Sequence, residues 1–150
     1  MVSMHPMPAG SVLLVEDDPG DQMLVREVFE HHGLGAALAT VDDGEEALDY
    51  LYRQGPHSLA SRPSLILLDL NLPKVNGREV LERIKADPEL ASIPVVVLTT
   101  SDAEEDIVRM YSAHANAYVP KPIDWDQFTA AVQHITGFYL EIARLPAPVA

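Results

Sequence analysis

Three short apolar runs recur along the chain, each followed at once by a polar group: "VLLV" at 12–15 before Glu16, "LILL" at 65–68 before Asp69, and "VVVL" at 95–98 before Thr99. None alternates apolar with polar, so each predicts a strand covered on both faces, as in a parallel sheet. "AALATV" at 36–41 and "AYVP" at 117–120 are weaker strand candidates and bring the count to five. Between the runs the period becomes that of a helix. Leu24, Val25, Val28 and Phe29 make one stripe, Ala47, Leu48 and Leu51 a second, and Val80, Leu81 and Ile84 a third. A fourth helix is predicted over about 102–113 with Ile107, Val108 and Tyr111 inward, and a fifth from Asp124 with Phe128, Ala131, Val132 and Ile135 inward. Asp43, Asp102 and Asp124 stand where a side-chain oxygen can cap a helix start. The pattern is (βα)5, an α/β fold with a doubly wound parallel five-stranded sheet. "GPHSLASRPS" at 55–64 reads as a surface loop before the third strand.

Composition narrows the function. With 150 residues, 47% of them hydrophobic, the chain suits one domain with a substantial core. No apolar run approaches the roughly 20 residues of a membrane span, so no membrane contact is expected. "MVSMHPMPAG" lacks the build of a secretory signal and reads as a flexible leader over 1–10. The absence of cysteine excludes thiol chemistry and fits a cytoplasmic protein. A formal charge of −13, with Lys and Arg scattered, argues against direct nucleic-acid binding. The six histidines show no metal-ligand spacing.

Ligands of an open parallel sheet gather beyond the carboxyl ends of its strands. Here those ends carry Glu16, Asp17 and Asp18, then Asp69, then Thr99, Thr100 and Ser101, then Lys121. Two carboxylates about 4 Å apart repel by roughly 4 kcal/mol at an effective dielectric of 20, so the cluster calls for a cation. All-oxygen donors favour Mg²⁺ or Mn²⁺ over Zn²⁺. A carboxylate beside such an ion, a lysine and a hydroxyl has the parts of phosphoryl transfer, with Asp69 as nucleophile.

"LLVEDD", "LILLDLNLPKVNG", "VVVLTTSD" and "AYVPKP", in this order and spacing, resemble the receiver domain of two-component response regulators. The resemblance covers about 11–137 and implies a flavodoxin-like sheet of order 2-1-3-4-5. It implies Asp69 as phosphoacceptor, Asp17 as a direct Mg²⁺ ligand with Glu16 acting through water, and Asn71 offering its carbonyl. It further implies Lys121 and Thr99 as phosphoryl partners, Thr99 and Tyr118 as the switch pair, and a cis bond before Pro122. Glu16 stands where the family often has Asp, and Thr100 is bulkier than the usual small residue, which would slow access by small donors.

After the fifth helix only "FYLEIARLPAPVA" remains, read as a C-terminal extension over 138–150 and too short for an output domain. It resembles, with the 55–64 insertion, the single-domain regulators of phytochrome histidine kinases. That implies a sensor histidine kinase as partner, a homodimer built through the extension, and a downstream phosphotransfer or effector protein. Phe138, Tyr139, Leu140, Ile142 and Leu145 are many large apolar groups for a free tail. Two rival classes remain. A haloacid-dehalogenase-like Mg²⁺ phosphatase needs a second Asp two residues after the first, where Asn71 stands. A flavin-binding flavodoxin needs a phosphate loop after strand one, where "EDDPGD" is acidic.

Overall fold

The computed structural model describes residues 11–149; the leader expected over 1–10 lies outside the described residues. Five parallel strands, β1 (Ser11–Val15), β2 (Leu38–Val41), β3 (Pro63–Leu68), β4 (Val95–Thr99) and β5 (Ala117–Pro120), pair in the order β2-β1-β3-β4-β5. Five helices, α1 (Pro19–His31), α2 (Gly44–Tyr52), α3 (Gly77–Ala86), α4 (Glu104–Ser112) and α5 (Trp125–Thr136), follow the strands in turn.

The apolar runs lack alternation because both faces of the sheet are buried. Val12, Leu14, Leu65, Leu67, Val96 and Leu98 face one way, against α1 and α5 through Leu24, Val28, Phe29, Phe128 and Val132. Leu13, Val15, Ile66, Leu68, Val95 and Val97 face the other, against α2 and α3 through Ala47, Leu51, Val80, Leu81 and Ile84. All six residues of β3, the central strand, are buried. Side-chain caps start four of the helices: Asp18 accepts from Gly20 N, Asp43 from Glu46 N, Asn76 from Glu79 N and Asp124 from Gln127 N.

Two expectations are corrected. Asp102 does not cap α4, which begins after Ala103 without a side-chain cap; Ser101 Oγ accepts from Ala103 N at 3.4 Å and donates to Asp106 Oδ2 at 2.6 Å, so the serine organises that turn. The inward face of α4 is also different. Met110 is its buried residue, Ile107 is half-buried, and Val108 and Tyr111 are about half exposed. Met110 and Ala113 reach the core, while Tyr111 lies along the open edge of the sheet and its hydroxyl accepts from Tyr118 N at 3.2 Å. An edge strand leaves such N–H groups unpaired, and the tyrosine satisfies one.

β2 is shorter than its predicted run, since Gly35–Ala37 form a 3-10 turn before it. The 55–64 segment is a loop with a 3-10 turn at Gly55–His57, and β3 takes in its last two residues. Beyond α5 the backbone widens into a π turn, Gly137–Ile142. Tyr139, Leu140 and Leu145 pack on the α1/α5 side of the core, and His32 Nδ1 lies 3.3 Å from Glu141 Oε2. Phe138 and Ile142 point outward, 51% and 74% exposed.

Two glycines set the shape of the β3–α3 region. A Cβ on Gly44 would lie 1.8 Å from Val75 O, and one on Gly77 would lie 2.2 Å from Asp69 O. Gly44→Ala and Gly77→Ala should each lower unfolding stability by about 3 kcal/mol in urea titration, because backbone must move to admit the methyl. Gly20→Ala, whose Cβ would meet nothing closer than 3.4 Å, should change it by no more than about 0.5 kcal/mol.

Candidate functional site

Strand register builds the site. Val15 pairs with Leu68, and Leu68 with Val97, so the residues after β1 and β3 emerge side by side. Backbone bonds carry the alignment one residue further, Glu16 N to Val41 O and Asp69 N to Val15 O, both at 3.1 Å. Thr99 pairs with Pro120, which delivers Lys121 to the same edge. Glu16, Asp69 and Thr99 are buried although polar.

Glu16, Asp17 and Asp69 can each bring one carboxylate oxygen within 4.8 Å of the others. Asp17 is exposed and Asp69 only 7% exposed, so the group runs from the surface to a buried position. Lys121 Nζ lies 2.5 Å from Glu16 Oε1, 2.8 Å from Asp21 Oδ2 and 3.3 Å from Asp69 Oδ2. Burial pushes the Glu16 carboxyl up to about 7, against the lowering effect of its hydrogen bond with Lys121 and with a further push from the Asp69 charge. Burial alone would lower the Lys121 pKa, but hydrogen bonds with Asp21 and Glu16 and the charges of Glu16 and Asp69 raise it overall. Lys121 is therefore an ammonium that neutralises part of a crowded negative site.

The remaining expected residues fall around this centre. Asn71 is exposed, and its N–H donates to Asp69 Oδ1 at 3.3 Å. Thr99 is fully buried, and its Oγ1 lies 3.5 Å from Ser101 N. Thr100 beside it is exposed. The Tyr118 hydroxyl donates to Ser101 O at 2.8 Å, and burial raises its pKa, so it is a neutral donor. The chain thus links Thr99, Ser101 and Tyr118 through the β4–α4 loop.

The cis bond implied before Pro122 is corrected: there is no cis peptide bond among the described residues. Lys121 is aimed instead by its own N–H, 2.6 Å from Thr99 O, and by the carboxylates around its ammonium. Asp21 entered the sequence reading only within the acidic run "EDDPGD" and had no place in the expected site. As an acid in the first turn of α1 it looks like an ordinary complement to the helix dipole. The available signal was topological, since a helix that starts directly after β1 presents its first turn to the strand ends. Gln22 was missed likewise; its Nε2 donates to Glu16 O and, at 2.7 Å, to Asp42 Oδ1.

A doubly wound parallel sheet whose strand ends gather an acidic oxygen cluster, one lysine and one buried threonine defines a metal-assisted phosphoryl-accepting module. The chain belongs to the response regulator receiver domain family, whose model matches residues 12–133. Response regulator Rcp1 of Synechocystis sp. is 46% identical over 140 residues, covering 93% of this chain and 95% of the relative. The crystal structure of the Mn²⁺-bound form of Rcp1 superposes with a TM-score of 0.87 at 45% identity, covering 92% of this chain and 99% of that one. The phosphorylated cyanobacterial phytochrome response regulator RcpA superposes with a TM-score of 0.88 at 47% identity, covering 91% and 98%. The five strands in order 2-1-3-4-5 are the flavodoxin-like receiver fold. No helix among the described residues is long and apolar enough to cross a membrane. The all-oxygen carboxylate set suits Mg²⁺ or Mn²⁺, and neither rival class finds support, Asn71 standing where a dehalogenase-like phosphatase needs its second acid.

Lys121→Met should destabilise the metal-free protein by about 3 kcal/mol at pH 8, because it leaves buried carboxylates facing one another. Protonation removes that surplus charge, so the loss should shrink as pH falls toward 5, and millimolar Mg²⁺ should shrink it at pH 8. Thermal unfolding across this pH range, with EDTA or Mg²⁺, checks both.

Proposed function

We propose that this chain is a phosphorylation-controlled switch in which Asp69 accepts a phosphoryl group from the phosphohistidine of a sensor histidine kinase. The observation that carries the reading is the convergence of four strand ends: buried Asp69, Lys121 Nζ 3.3 Å from it, buried Thr99, and the Glu16–Asp17–Asp69 carboxylate set. An Asp69 oxygen forms the new bond to phosphorus as the phosphorus–nitrogen bond of the donor breaks and the imidazole leaves. Asp17 and Asp69, the Asn71 carbonyl, and Glu16 through water are the groups to hold Mg²⁺ or Mn²⁺. The bound ion supplies charge neutralisation for the phosphoryl oxygens. Lys121 offers ammonium donors to those oxygens and Thr99 a hydroxyl.

The switch follows from what phosphorylation adds, about −1.5 to −2 charge and three acceptor oxygens. Thr99 hydroxyl gains a partner on the Asp69 side in that state alone. The loop through Ser101 then shifts, and Tyr118, whose hydroxyl donates to Ser101 O, changes rotamer with it. The protein is a cytoplasmic signalling component whose chemistry is self-phosphotransfer and slow dephosphorylation, with no separate substrate turned over. Likeness to Rcp1 and RcpA supports a phytochrome kinase as the donor. The unit over 11–137 is the receiver, and the 138–150 extension serves homodimerisation or docking of an effector, supported by the outward Phe138 and Ile142.

Intact mass after incubation with Mg²⁺ and a phosphorylated histidine kinase should show one phosphoryl adduct on wild type, none on Asp69→Asn, and none with EDTA. No adduct with any donor would sink the reading. Truncation after Thr136 should shift the association state or weaken partner binding by at least tenfold; a truncated chain that behaves as wild type in both would remove the role given to the extension.

A further inference from the structure

Lys121 has three N–H donors, and all three are committed. Glu16 and Asp21 hold it at 2.5 and 2.8 Å, closer than the 3.3 Å to Asp69. The lysine side chain is 5% exposed and that of Asp21 16%, so these contacts are little screened by water. Asp21 is also rigidly placed. It sits in the first turn of α1, whose start is fixed by Pro19 and by the Asp18 cap accepting from Gly20 N at 2.9 Å. Its carboxylate reaches a residue 100 positions away along the chain.

We propose that Asp21 is a positioning residue that holds Lys121 in the resting state and competes with an incoming phosphoryl group for it. The inference rests on the reading of Asp69 as phosphoacceptor and deepens it. Before transfer, Asp21 keeps the ammonium on the Glu16 side of the site. When phosphorus bonds to an Asp69 oxygen, the lysine must give up a carboxylate to reach a phosphoryl oxygen. Glu16 belongs to the cation site, so Asp21 is the partner to be released. Asp21 thus opposes phosphorylation twice: it withholds a donor, and it leaves a bare carboxylate behind once the donor moves. The ease of charging the site is then set by a residue outside the metal, acceptor and switch sets.

The test uses acetyl phosphate with Mg²⁺, whose transfer breaks the acetate–phosphorus oxygen bond, forms the Asp69 oxygen–phosphorus bond, and releases acetate with the electron pair. Adduct formation is followed by intact mass in wild type, Asp21→Asn, Asp21→Glu, Lys121→Met and the Asp21→Asn/Lys121→Met double variant. Asp21→Asn should charge faster than wild type by on the order of tenfold, the effect of one unit of negative charge removed at short range. Asp21→Glu, which keeps the charge, should restore a rate near that of wild type. In the Lys121→Met background Asp21→Asn should give no gain, since the competition has lost its object. A gain that persists without Lys121 would mean a field effect alone and overturn the positioning role, as would equal rates in wild type and Asp21→Asn. Wild type that takes no phosphoryl group from any donor would overturn the functional reading itself, and this inference with it.

Discussion

A parallel sheet covered on both faces can place polar groups only where its strands end, and the rest of this molecule follows from that constraint. β3 is buried along its whole length, so an acid within it would be an uncompensated charge. One residue further, at Asp69, the chain leaves the sheet beside β1 and meets the lysine that β5 delivers. The same geometry brings Glu16 and Thr99 to that edge. The polar groups of the proposed site collect at this edge because both faces of the sheet are closed.

What the edge assembles is an electrostatic imbalance held in check. Three carboxylates, Glu16, Asp21 and Asp69, hold the Lys121 ammonium, and a fourth, Asp17, lies beside Glu16 and Asp69. Burial raises the Glu16 pKa, and the carboxylates raise that of Lys121, two faces of one stress. A divalent cation held by Glu16, Asp17 and Asp69 would relieve the stress, and Asp17 is the exposed member of that set. On the proposed reading, response to phosphate would be a competition for these cations.

Much of this was legible in the sequence, for identifiable reasons. Runs such as "LILL" and "VVVL" stood out because burial on two faces leaves no polar register to blur them, and the residues after them had nowhere to go but the site. Legibility failed where local patterns are degenerate. Ile107, Val108 and Tyr111 make as good a helical stripe as Ile107 and Met110, and only contact with the half-covered edge strand decides between them. Asp21 was hidden because a first-turn acid has a sufficient local explanation. The extension was read as a surface for others, yet Tyr139, Leu140 and Leu145 lie against their own domain while Phe138 and Ile142 do not. No one-dimensional pattern distinguishes those two sets.

Gly77 gives the Asp69 backbone a hard seat. With no side chain, it lets α3 begin directly beneath the Asp69 carbonyl, while Gly77 N donates to Leu70 O at 3.0 Å and Asp69 N to Val15 O at 3.1 Å. The backbone around Asp69 is thus held from the strand side and approached from the helix side at once. Movement of Asp69 toward α3 would meet backbone, so on the proposed reading the change would pass to the loop that ties Thr99 through Ser101 to Asp106 and Tyr118. On the proposed reading the fold would act as a lever, braced by backbone at α3 and working toward the side where Val108 and Tyr111 meet solvent.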